Sequence, residues 1–504
     1  MKTEARNSNF VSDITGFENI GAGSQAGGPT VSSGRTKWTL ASYLARANYT
    51  LLDRYLFSFT GRRDGSSRFG ADNRWGFFPA GAVGWRVSEE PFMRHVTAIS
   101  DLKLRASYGI VGNPSISPYQ SLTRLSAQQY TFNGALAPGY VPAALGNPTL
   151  SWESTKQYDY GIDMSLFRGR VDVVSDYYNK RTDDLLLQID LPSEVGYPSA
   201  FVNAGSIENR GVEVGLTFHV FDGGAKPGAF KWTSTVNYSR NRNQVLELGG
   251  VNRIFPTQQT ASDINATSSV VQVGQPIGAF FGFKTGDLFR DSTTLNAWKA
   301  KTRFASGTVP GLGSRIYIDV NGDSIINGDD RTIIGNPTPN YVMGWQNTVS
   351  WKGFEFSALL DGTRGNIVLN LNNLRLNAAS PATNVTRERV LNAWSVDNPT
   401  GTYQRVGSGA GFLNADITDE LLEDGSFVRL RTMTLSRQIP PSWLRSSAFK
   451  TRAYITGQNL KTWTRYTGFN PDVSSISVGN LNRGVDVGAY PLARTVTFGF
   501  NITY

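Results

Sequence analysis

The sequence predicts an all-β protein whose strands form a large antiparallel transmembrane β-barrel. Three observations lead to this fold class: an aromatic-rich, charge-poor composition, a long series of strand-like segments, and connections that alternate between short turns and long loops. The chain has 504 residues, of which 12% are aromatic and 18% charged, against about 25% charged residues in an average soluble domain. No segment approaches the ~18 apolar residues of a membrane-spanning helix, whereas barrel strands alternate and average to a polar score.

Composition also excludes several kinds of chemistry. The sequence has no Cys, so it offers no disulfide, thiolate metal site or Cys nucleophile. Its two His residues, His95 and His219, have no evident Ser or Asp partner, and a Gly-rich run at 21–26 lacks the flanking strand and helix of a dinucleotide site. The net charge of +9 is spread along the chain, whereas nucleic-acid binding needs a clustered basic surface. We therefore expect no enzymatic activity and no nucleic-acid partner.

The strand signal is an alternation of apolar and small polar residues, clearest at the C-terminal end. In the segment 495–504, Val496, Phe498, Phe500 and Ile502 alternate with Thr, Gly or Asn. A period of two is typical of a strand with two different faces. In a soluble sandwich the apolar face packs inward, whereas in a membrane barrel it faces lipid. The alternation alone leaves both folds open.

Segment length favours the barrel. We predict fifteen strands, most of them about 10–18 residues long, against a usual length of about five or six and the roughly 9–11 residues that cross a bilayer at a tilt. They span 37–50, 54–64, 75–88, 101–112, 150–167, 170–187, 206–221, 229–246, 267–274, 277–290, 340–351, 354–364, 425–438, 449–463 and 490–504.

The connections between these segments fall into two classes. Short turns or compact links lie at 51–53, 89–100, 168–169, 222–228, 274–277, 352–353 and 440–447. Long loops lie at 65–74, 113–149, 188–205, 247–266, 291–339, 365–424 and 464–489. Short turns on one side and long loops on the other are typical of an outer-membrane barrel, in which the short turns face the periplasm. The connections therefore favour a barrel over a soluble sandwich.

The chain divides into two predicted parts. Residues 1–36, polar and rich in Gly and Ser, are predicted to be the remnant of an external loop, and residues 37–504 the C-terminal part of the barrel. A count of fifteen is odd, whereas single-chain bacterial barrels have even numbers of strands, and an open edge would leave backbone groups unpaired in lipid. No apolar signal-peptide segment follows Met1. We therefore expect the chain to be part of a longer protein.

Motifs along these strands resemble those of one family. They are Asp53-Arg54-Tyr55-Leu56, Arg63-Asp64-Gly65-Ser66-Ser67-Arg68-Phe69-Gly70, Asn73-Arg74-Trp75-Gly76-Phe77-Phe78-Pro79, Gly84-Trp85-Arg86-Val87, Leu102-Lys103-Leu104-Arg105-Ala106-Ser107-Tyr108-Gly109, Asp176-Tyr177-Tyr178-Asn179-Lys180, Ile207-Glu208-Asn209-Arg210-Gly211-Val212-Glu213, Asp319-Val320-Asn321-Gly322-Asp323 and Ile333-Ile334-Gly335-Asn336-Pro337. In this order, over residues 37–504, the set resembles the barrel of SusC/RagA-type TonB-dependent (TonB-linked) outer-membrane transporters.

The resemblance implies a barrel of about 22 strands, an N-terminal plug with a TonB box, and a SusD-like surface lipoprotein that covers the barrel. Proteins of this family import oligosaccharides or peptides across the outer membrane of Gram-negative bacteria. This chain contains no segment that resembles the plug or the TonB box. Contact with the TonB complex is therefore expected through the missing N-terminal part, and the fragment alone is not expected to transport.

A candidate Ca²⁺ loop lies within the long loop at 291–339. Its oxygen ligands would be Asp319, Asn321, Asp323, the carbonyl of Ile325, Asn327 and Asp330. This spacing suits a hard cation, which needs several oxygens from one short segment. Ser324 stands where such loops have Gly, and an Asp closes the loop in place of a bidentate Glu. The alternative interpretation is a turn closed by hydrogen bonds from side chain to backbone.

Aromatic residues in the long loops are candidates for ligand contact. Trp298, Trp463 and Tyr466 could stack on sugar rings or pack against peptide side chains. The alternative is that these rings hold the loops together or contact the lipoprotein.

Three functional hypotheses remain open from the sequence. The first is the barrel of a SusC-like importer of oligosaccharides or peptides, embedded in outer-membrane lipid. The second is an outer-membrane receptor or structural barrel without transport of its own. The third is a soluble secreted β-rich protein, which would need no detergent to stay in solution.

Overall fold

The computed structural model confirms an all-β chain dominated by one large antiparallel sheet. It describes residues 35–503 except for 133, 198, 225–227, 256–267, 377–383, 406–415, 441, 443–448, 475–480 and 482. The predicted loop remnant at 1–36 lies outside the described residues apart from its last two positions. None of the helices in the described part of the chain has the length and apolar character needed to cross a membrane.

In chain order the strands are β1 (Leu40–Leu51), β2 (Tyr55–Ser66), β3 (Trp75–Arg86), β4 (Ile99–Asn113), β5 (Arg124–Phe132), β6 (Ala135–Ala144), β7 (Glu153–Leu166), β8 (Val171–Asp183), β9 (Leu186–Asp190), β10 (Ser199–Asn203), β11 (Ser206–Asp222), β12 (Lys231–Glu247), β13 (Arg253–Ile254), β14 (Ser269–Gln272), β15 (Ala279–Gly282), β16 (Thr285–Leu288), β17 (Arg303–Phe304), β18 (Arg315–Tyr317), β19 (Ile325–Ile326), β20 (Thr332–Gly335), β21 (Tyr341–Trp351), β22 (Phe354–Arg364), β23 (Ile367–Asn370), β24 (Leu422–Asp424), β25 (Phe427–Ile439), β26 (Lys450–Thr464), β27 (Val485–Asp486) and β28 (Thr495–Thr503). The α-helices are α1 (Ser292–Lys299), α2 (Asn372–Leu376) and α3 (Arg387–Leu391). Short 3-10 helices span Ala71–Asn73, Val87–Glu89, Pro91–His95, Ser193–Val195, Gly328–Asp330 and Asp419–Leu421.

The large sheet forms the barrel wall. Among the described residues it contains 13 strands in the order β1-β2-β3-β4-β7-β8-β11-β12-β21-β22-β25-β26-β28. Each wall strand between β1 and β28 therefore pairs with the wall strands that precede and follow it in sequence. The remaining strands form small sheets within the long loops.

The prediction of fifteen wall strands is wrong for two segments. The segments at 267–274 and 277–290 contain β14, β15 and β16, which pair in small loop sheets outside the wall. Strands β14 and β15 are buried at almost every position, whereas a wall strand buries neither face completely. A run that is apolar on both faces fits the interior of a folded loop, and its length alone did not reveal this difference.

The two faces of the wall have opposite character. We call the face that carries Val496, Phe498, Phe500 and Ile502 the outer face, and the opposite face the inner face. These four side chains are between 56% and 74% exposed, as expected for groups that contact lipid. The register carries the same outer face across the neighbouring strand, because Phe498 pairs with Ile455. Inner-face positions carry mainly Thr, Ser, Asn and Asp.

Tight turns connect the wall strands at one end. Leu52 and Asp53, between β1 and β2, both have positive φ angles, of 53° and 54°. Lys352 and Gly353, between β21 and β22, have φ angles of 46° and 82°. Two consecutive residues with positive φ form the type I′ turn that matches the twist of a hairpin. These turns define the short-turn end of the wall, which in such barrels faces the periplasm.

Glu90 joins the connection between β3 and β4 to the β1–β2 turn and to the ends of β2 and β3. Its side chain is buried and lies between β3 and the helix Pro91–His95. One oxygen accepts hydrogen bonds from the Tyr55 hydroxyl at 2.7 Å and the Trp85 indole at 3.1 Å, and the other pairs with Arg54 at 3.3 Å. The Tyr55 hydroxyl and the Trp85 indole, together with Arg54, hold the pKa of Glu90 below its usual range.

We predict that Glu90→Gln lowers the thermal unfolding midpoint of the full-length protein in detergent at pH 7 and that this difference shrinks at pH 3. A carboxylate with a lowered pKa contributes stability above its ordinary pKa of about 4.3 and loses it as the pH falls. At pH 3 the parent therefore approaches the neutral variant. The control is Glu89→Gln, an exposed neighbour, which should match the parent at both pH values. An unchanged difference at both pH values would show that the charge of Glu90 has no role.

Candidate functional site

Two regions are candidates for contact with a ligand: the inner face of the wall and the folded loops at the end opposite the short turns. The long connections at that end include those within 248–340, 365–426 and 465–494. We call the described residues of these three connections the external module. The module sits where a ligand would arrive from outside the cell, because long loops are extracellular in such barrels.

The external module has its own hydrophobic core, built from all three connections. Strand β23 pairs antiparallel with β24 and parallel with β27, so segments from two connections form one small sheet. The buried cluster beside this sheet contains Phe280, Leu369, Leu371, Ile417, Leu421 and Val485. Phe280 belongs to the first connection, Leu369 and Ile417 to the second, and Val485 to the third. The three loops are therefore one folded unit held by a shared core.

Trp298 lies in a second cluster of this module. It closes α1 and packs against Phe289 and Phe304, with ring centroids 5.6 and 5.4 Å apart. Phe304 also packs edge-on against Tyr317 at 5.5 Å. Such ring pairs add stability beyond the area that they bury. The position of Trp298 supports a structural role, and ligand contact by this residue stays a prediction.

Tyr466 is also placed in the module interior. Its ring is 5% exposed and packs with Val368 and Val473. Its hydroxyl donates a hydrogen bond of 2.6 Å to Asp486, and burial raises the pKa of Tyr466. This arrangement fastens the third connection to the second.

Trp463 lies near the external end of β26 and is 49% exposed. The register places it opposite Val428, which in turn pairs with Gly362. These positions continue the outer face, where Trp is common at the boundary between lipid and water. The structure therefore does not bring Trp298, Trp463 and Tyr466 together at one surface.

A charged cluster stabilises the base of α1. Arg290 binds both oxygens of Asp287, at 2.8 and 3.0 Å, and donates to the carbonyls of Pro399 and Gly401 at 2.6 and 3.1 Å. The hydrogen bonds from Arg290 lower the pKa of Asp287 to about 2. Arg290 therefore connects the first and second connections of the module through charge-assisted bonds.

The candidate Ca²⁺ loop is closed by its own backbone. Asp319 accepts hydrogen bonds from the amides of Gly322 and Ser324, at 2.6 and 2.8 Å. Asp330, fully buried, accepts from the amides of Val320 and Asn327, both at 2.9 Å.

The other candidate ligands are engaged in the same way. Asn321 accepts from the amide of Asp323, Asp323 from that of Ile325, and Asn327 from that of Asp329. In the described part of the chain, no group of three or more His, Cys, Asp or Glu side chains converges as a metal site. The geometry is that of the alternative interpretation, a hydrogen-bonded turn, and Ca²⁺ binding by these residues stays a prediction of the sequence.

The inner face carries a network of ion pairs. Arg105 on β4 binds both oxygens of Asp163 on β7, at 2.8 and 3.0 Å, and Asp176 on β8 at 2.9 Å. Lys103 approaches Asp163 at 3.5 Å. Lys103, Arg105 and Asp176 belong to the family motifs and Asp163 does not, and all four lie at polar positions of alternating segments. Which polar positions meet depends on strand register, which the alternation does not specify.

Gly161 makes room for this network. It lies on the inner face of β7, opposite Arg105 on β4 and Asp176 on β8. A Cβ atom at position 161 would overlap the Asp176 carboxylate and the Arg105 guanidinium. The absence of a side chain therefore allows the two charged groups to meet across the intervening strand.

Other inner-face cations are also compensated. Arg62 pairs with Asp64 at 2.7 Å, Arg431 with Asp361 at 3.3 Å, and Arg452 with Glu355. The inner face thus pairs much of its positive charge instead of presenting it to an anionic solute.

A strand wall with an apolar outer face, a compensated polar inner face and a folded module at one end defines a membrane β-barrel of the receptor and transporter class. Residues 4–374 match the family described as "TonB dependent receptor-like, beta-barrel". The chain belongs to this family of TonB-dependent receptor barrels.

Individual relatives agree with this assignment and with the SusC/RagA resemblance. The chain is 35% identical over 503 residues to TonB-dependent receptor P26 of Formosa agariphila, covering 98% of this chain and 49% of that protein. It is 30% identical over 486 residues to TonB-dependent receptor SusC of Bacteroides thetaiotaomicron, covering 93% of this chain and 44% of that protein. The chain thus spans about half the length of the curated relatives it matches.

A solved structure shares the fold. The structure titled "Structure of the RagAB peptide transporter" superposes with a TM-score of 0.77 at 24% identity, over 96% of this chain and 50% of that chain.

We predict that Asp330→Ala opens the segment 318–335 to proteolysis in the otherwise folded protein. Removing the carboxylate takes the charged acceptor away from the amides of Val320 and Asn327, and hydrogen bonds to charged groups contribute about 1.5–3 kcal/mol each. Limited proteolysis with peptide mapping measures the effect. The matched control is Asp329→Ala, an exposed neighbour, which should be cleaved like the parent. Protection of the parent segment by added Ca²⁺ would support the cation interpretation, and equal resistance of all three proteins would contradict the role of Asp330.

We predict that Gly161→Ala destabilises the wall by about 1–3 kcal/mol, the usual cost of overpacking. The measurement is the thermal midpoint in detergent, with Gly344→Ala as control. Position 344 is also a wall glycine, and an added Cβ there meets only the Leu360 carbonyl, at 4.0 Å. Equal midpoints for both variants would mean that the ion-pair network tolerates the extra methyl group.

Proposed function

We propose that the intact protein is a SusC-like TonB-dependent importer in the outer membrane of a Gram-negative bacterium. Its cargo is an oligosaccharide or a peptide, captured together with a SusD-like surface lipoprotein. Energy comes from the TonB complex through a part of the protein outside this chain. The observation that carries the proposal is the external module, a folded unit with its own core at the end of a membrane wall.

The module supports import of a sizeable ligand in preference to a purely structural role. A structural barrel needs only short connections between its strands, whereas this chain folds three long connections around one core. Such a unit provides a rigid surface for a partner and for a ligand. The exposed apolar outer face supports placement in lipid and disfavours a soluble secreted protein, because a continuous apolar surface of this size would associate in water.

Oligosaccharides and peptides are both proposed as cargo, because the same aromatic side chains can bind either class. Exposed aromatic residues of the module, such as Phe469 and Tyr490, can pack against sugar rings and peptide side chains alike. The solved RagAB protein is titled a peptide transporter, and this supports peptides as one of the two classes for this chain.

The test compares two variants of the full-length protein in its own bacterium. Leu369→Asp places a charge at a fully buried position of the module core, and Val396→Asp places one at a position that is 84% exposed. A buried unpaired charge is costly enough to disrupt the local fold. We predict that Leu369→Asp reduces ligand-dependent growth to the level of a deletion strain and abolishes co-purification of the lipoprotein, while the wall stays folded and in the membrane.

Growth is measured on glycan and on peptide mixtures as separate nutrient sources, which identifies the cargo class. Val396→Asp should grow and co-purify like the parent. Normal growth of the Leu369→Asp strain, with the variant confirmed in the outer membrane, would show that the module has no part in uptake. Failure of the deletion strain to differ from the parent on either mixture would contradict the proposed importer.

A further inference from the structure

Three arginines lie together on the outer face near the external end of the wall. Arg210 on β11 and Arg242 on β12 stand directly opposite each other in the register. Arg240 lies two residues from Arg242 on the same face, opposite Val212. All three arginines are exposed. The side of the wall that faces lipid therefore carries a compact basic cluster.

The three arginines form no ion pair with a carboxylate in the part of the chain that the structure describes. In the described ranges no carboxylate oxygen lies within 4.0 Å of the guanidinium groups of Arg210, Arg240 or Arg242. Glu208 is nearby, and one of its oxygens accepts a hydrogen bond from Asn179 at 3.0 Å. Like charges directly opposite each other in an antiparallel pair destabilise the sheet. An arrangement with this cost suggests that an anion from outside the chain offsets it.

The position of the cluster relative to lipid is marked by aromatic residues. Tyr177 pairs with Val212 in the register, and Tyr238 pairs with Val214. The Tyr238 ring packs on Tyr341 at 5.5 Å. Tyr residues at the end of an apolar face indicate the level of the lipid head groups. Arg210 and Arg240 come one outer-face position beyond these tyrosines, toward the external module.

The arginines line a cleft large enough for a head group. The cleft has a volume of about 380 Å³ and is also lined by Glu208, Gln244, Thr338 and Asn340. It opens where β12 runs past the start of β21, whose last pairing with β12 joins Ser239 and Val342. The extra length of β12 provides Arg240 and Arg242, β11 provides Arg210, and the segment before β21 provides the opposite side. Amide and hydroxyl donors and the single carboxylate of Glu208 thus surround the space beside the guanidinium groups.

We propose that this cleft binds the phosphate group of a lipid in the outer leaflet of the membrane. The proposal rests on the membrane placement in the proposed function. Guanidinium groups bind phosphate through paired, charge-assisted hydrogen bonds, and basic clusters at the membrane boundary attract anionic head groups. A phosphate between Arg210 and Arg242 converts a repulsive pair into a bridged one. The acyl chains of the same lipid then lie along the apolar residues below Val212.

The experiment uses the full-length protein in a neutral detergent, with thermal unfolding and native mass spectrometry as readouts. The probes are phosphatidic acid, phosphatidylcholine and inorganic phosphate. Phosphatidic acid should raise the unfolding midpoint of the parent and remain bound in the mass spectrum, whereas phosphatidylcholine should do neither. Inorganic phosphate at the same concentration should have a much weaker effect, because it lacks the chains that hold it at the wall.

The variant Arg210→Gln/Arg242→Gln should lose the shift caused by phosphatidic acid and, without lipid, unfold at or above the midpoint of the parent. The control Arg94→Gln/Arg170→Gln removes the same charge at exposed positions of the short-turn end and should respond like the parent. Equal responses of the two double variants, or equal effects of inorganic phosphate and phosphatidic acid on the parent, would overturn the proposal. A protein that inserts in the membrane and imports its ligand, yet fails this test, leaves the proposed function intact.

Discussion

The structure depends on one constraint: each wall strand must pair its backbone on both edges while its side chains face two different solvents. Hydrogen bonding to both neighbours fixes the register, and register decides which residues meet lipid. The pairing of β26 with β28 shows this dependence. Phe498 meets Ile455 on the outer face, and the next pair, Thr497 and Thr456, lies on the inner face. A slip of one residue would turn both pairs to the wrong side.

A bulge in β25 changes which residues of this strand face outward. Leu430 pairs with Leu360 and Thr432 with Leu359, so Arg431 is an extra residue in β25. Beyond the bulge the alternation shifts by one position. Arg437 consequently lies on the outer face, with its guanidinium 4.6 Å from the centre of the Phe354 ring. Odd-numbered arginines that look equivalent in the sequence therefore face opposite sides of the wall.

The sequence predicts the strands of the wall but not the structure of the loops, and the reason is physical. Thirteen of the predicted segments coincide with wall strands because each needs a long two-faced alternation to cross the membrane. The loop strands β14 and β15 have no such requirement, since both of their faces are buried. The core that joins Leu369 and Val485 depends on contacts between distant parts of the chain, which no local pattern records. For the same reason the sequence predicts Trp298 and Tyr466 as loop residues without assigning them to the interior or the surface, and the loop prediction for Trp463 is wrong because this residue lies in β26.

The inner and outer faces differ in how completely their cations are paired, and the difference follows from their surroundings. On the inner face, Arg105 and Arg62 each find a carboxylate on the same or a neighbouring strand. An inner wall filled by water or protein gains from such local neutrality, because it imposes no field on a passing solute. On the outer face near the external end, Lys156 and Arg181 pair with Asp183, whereas Arg210 and Arg242 face each other across two paired strands.

A local arrangement that opposes stability persists when something outside the chain favours it. The outer face meets lipid head groups only at its two boundaries, since the region between them is hydrocarbon. The external boundary is where an unpaired arginine can reach a phosphate while its strand stays in the wall. The wall that separates lipid from lumen therefore carries ion pairs on both faces, and an external counter-ion at the rim serves the arginines that have no carboxylate of their own.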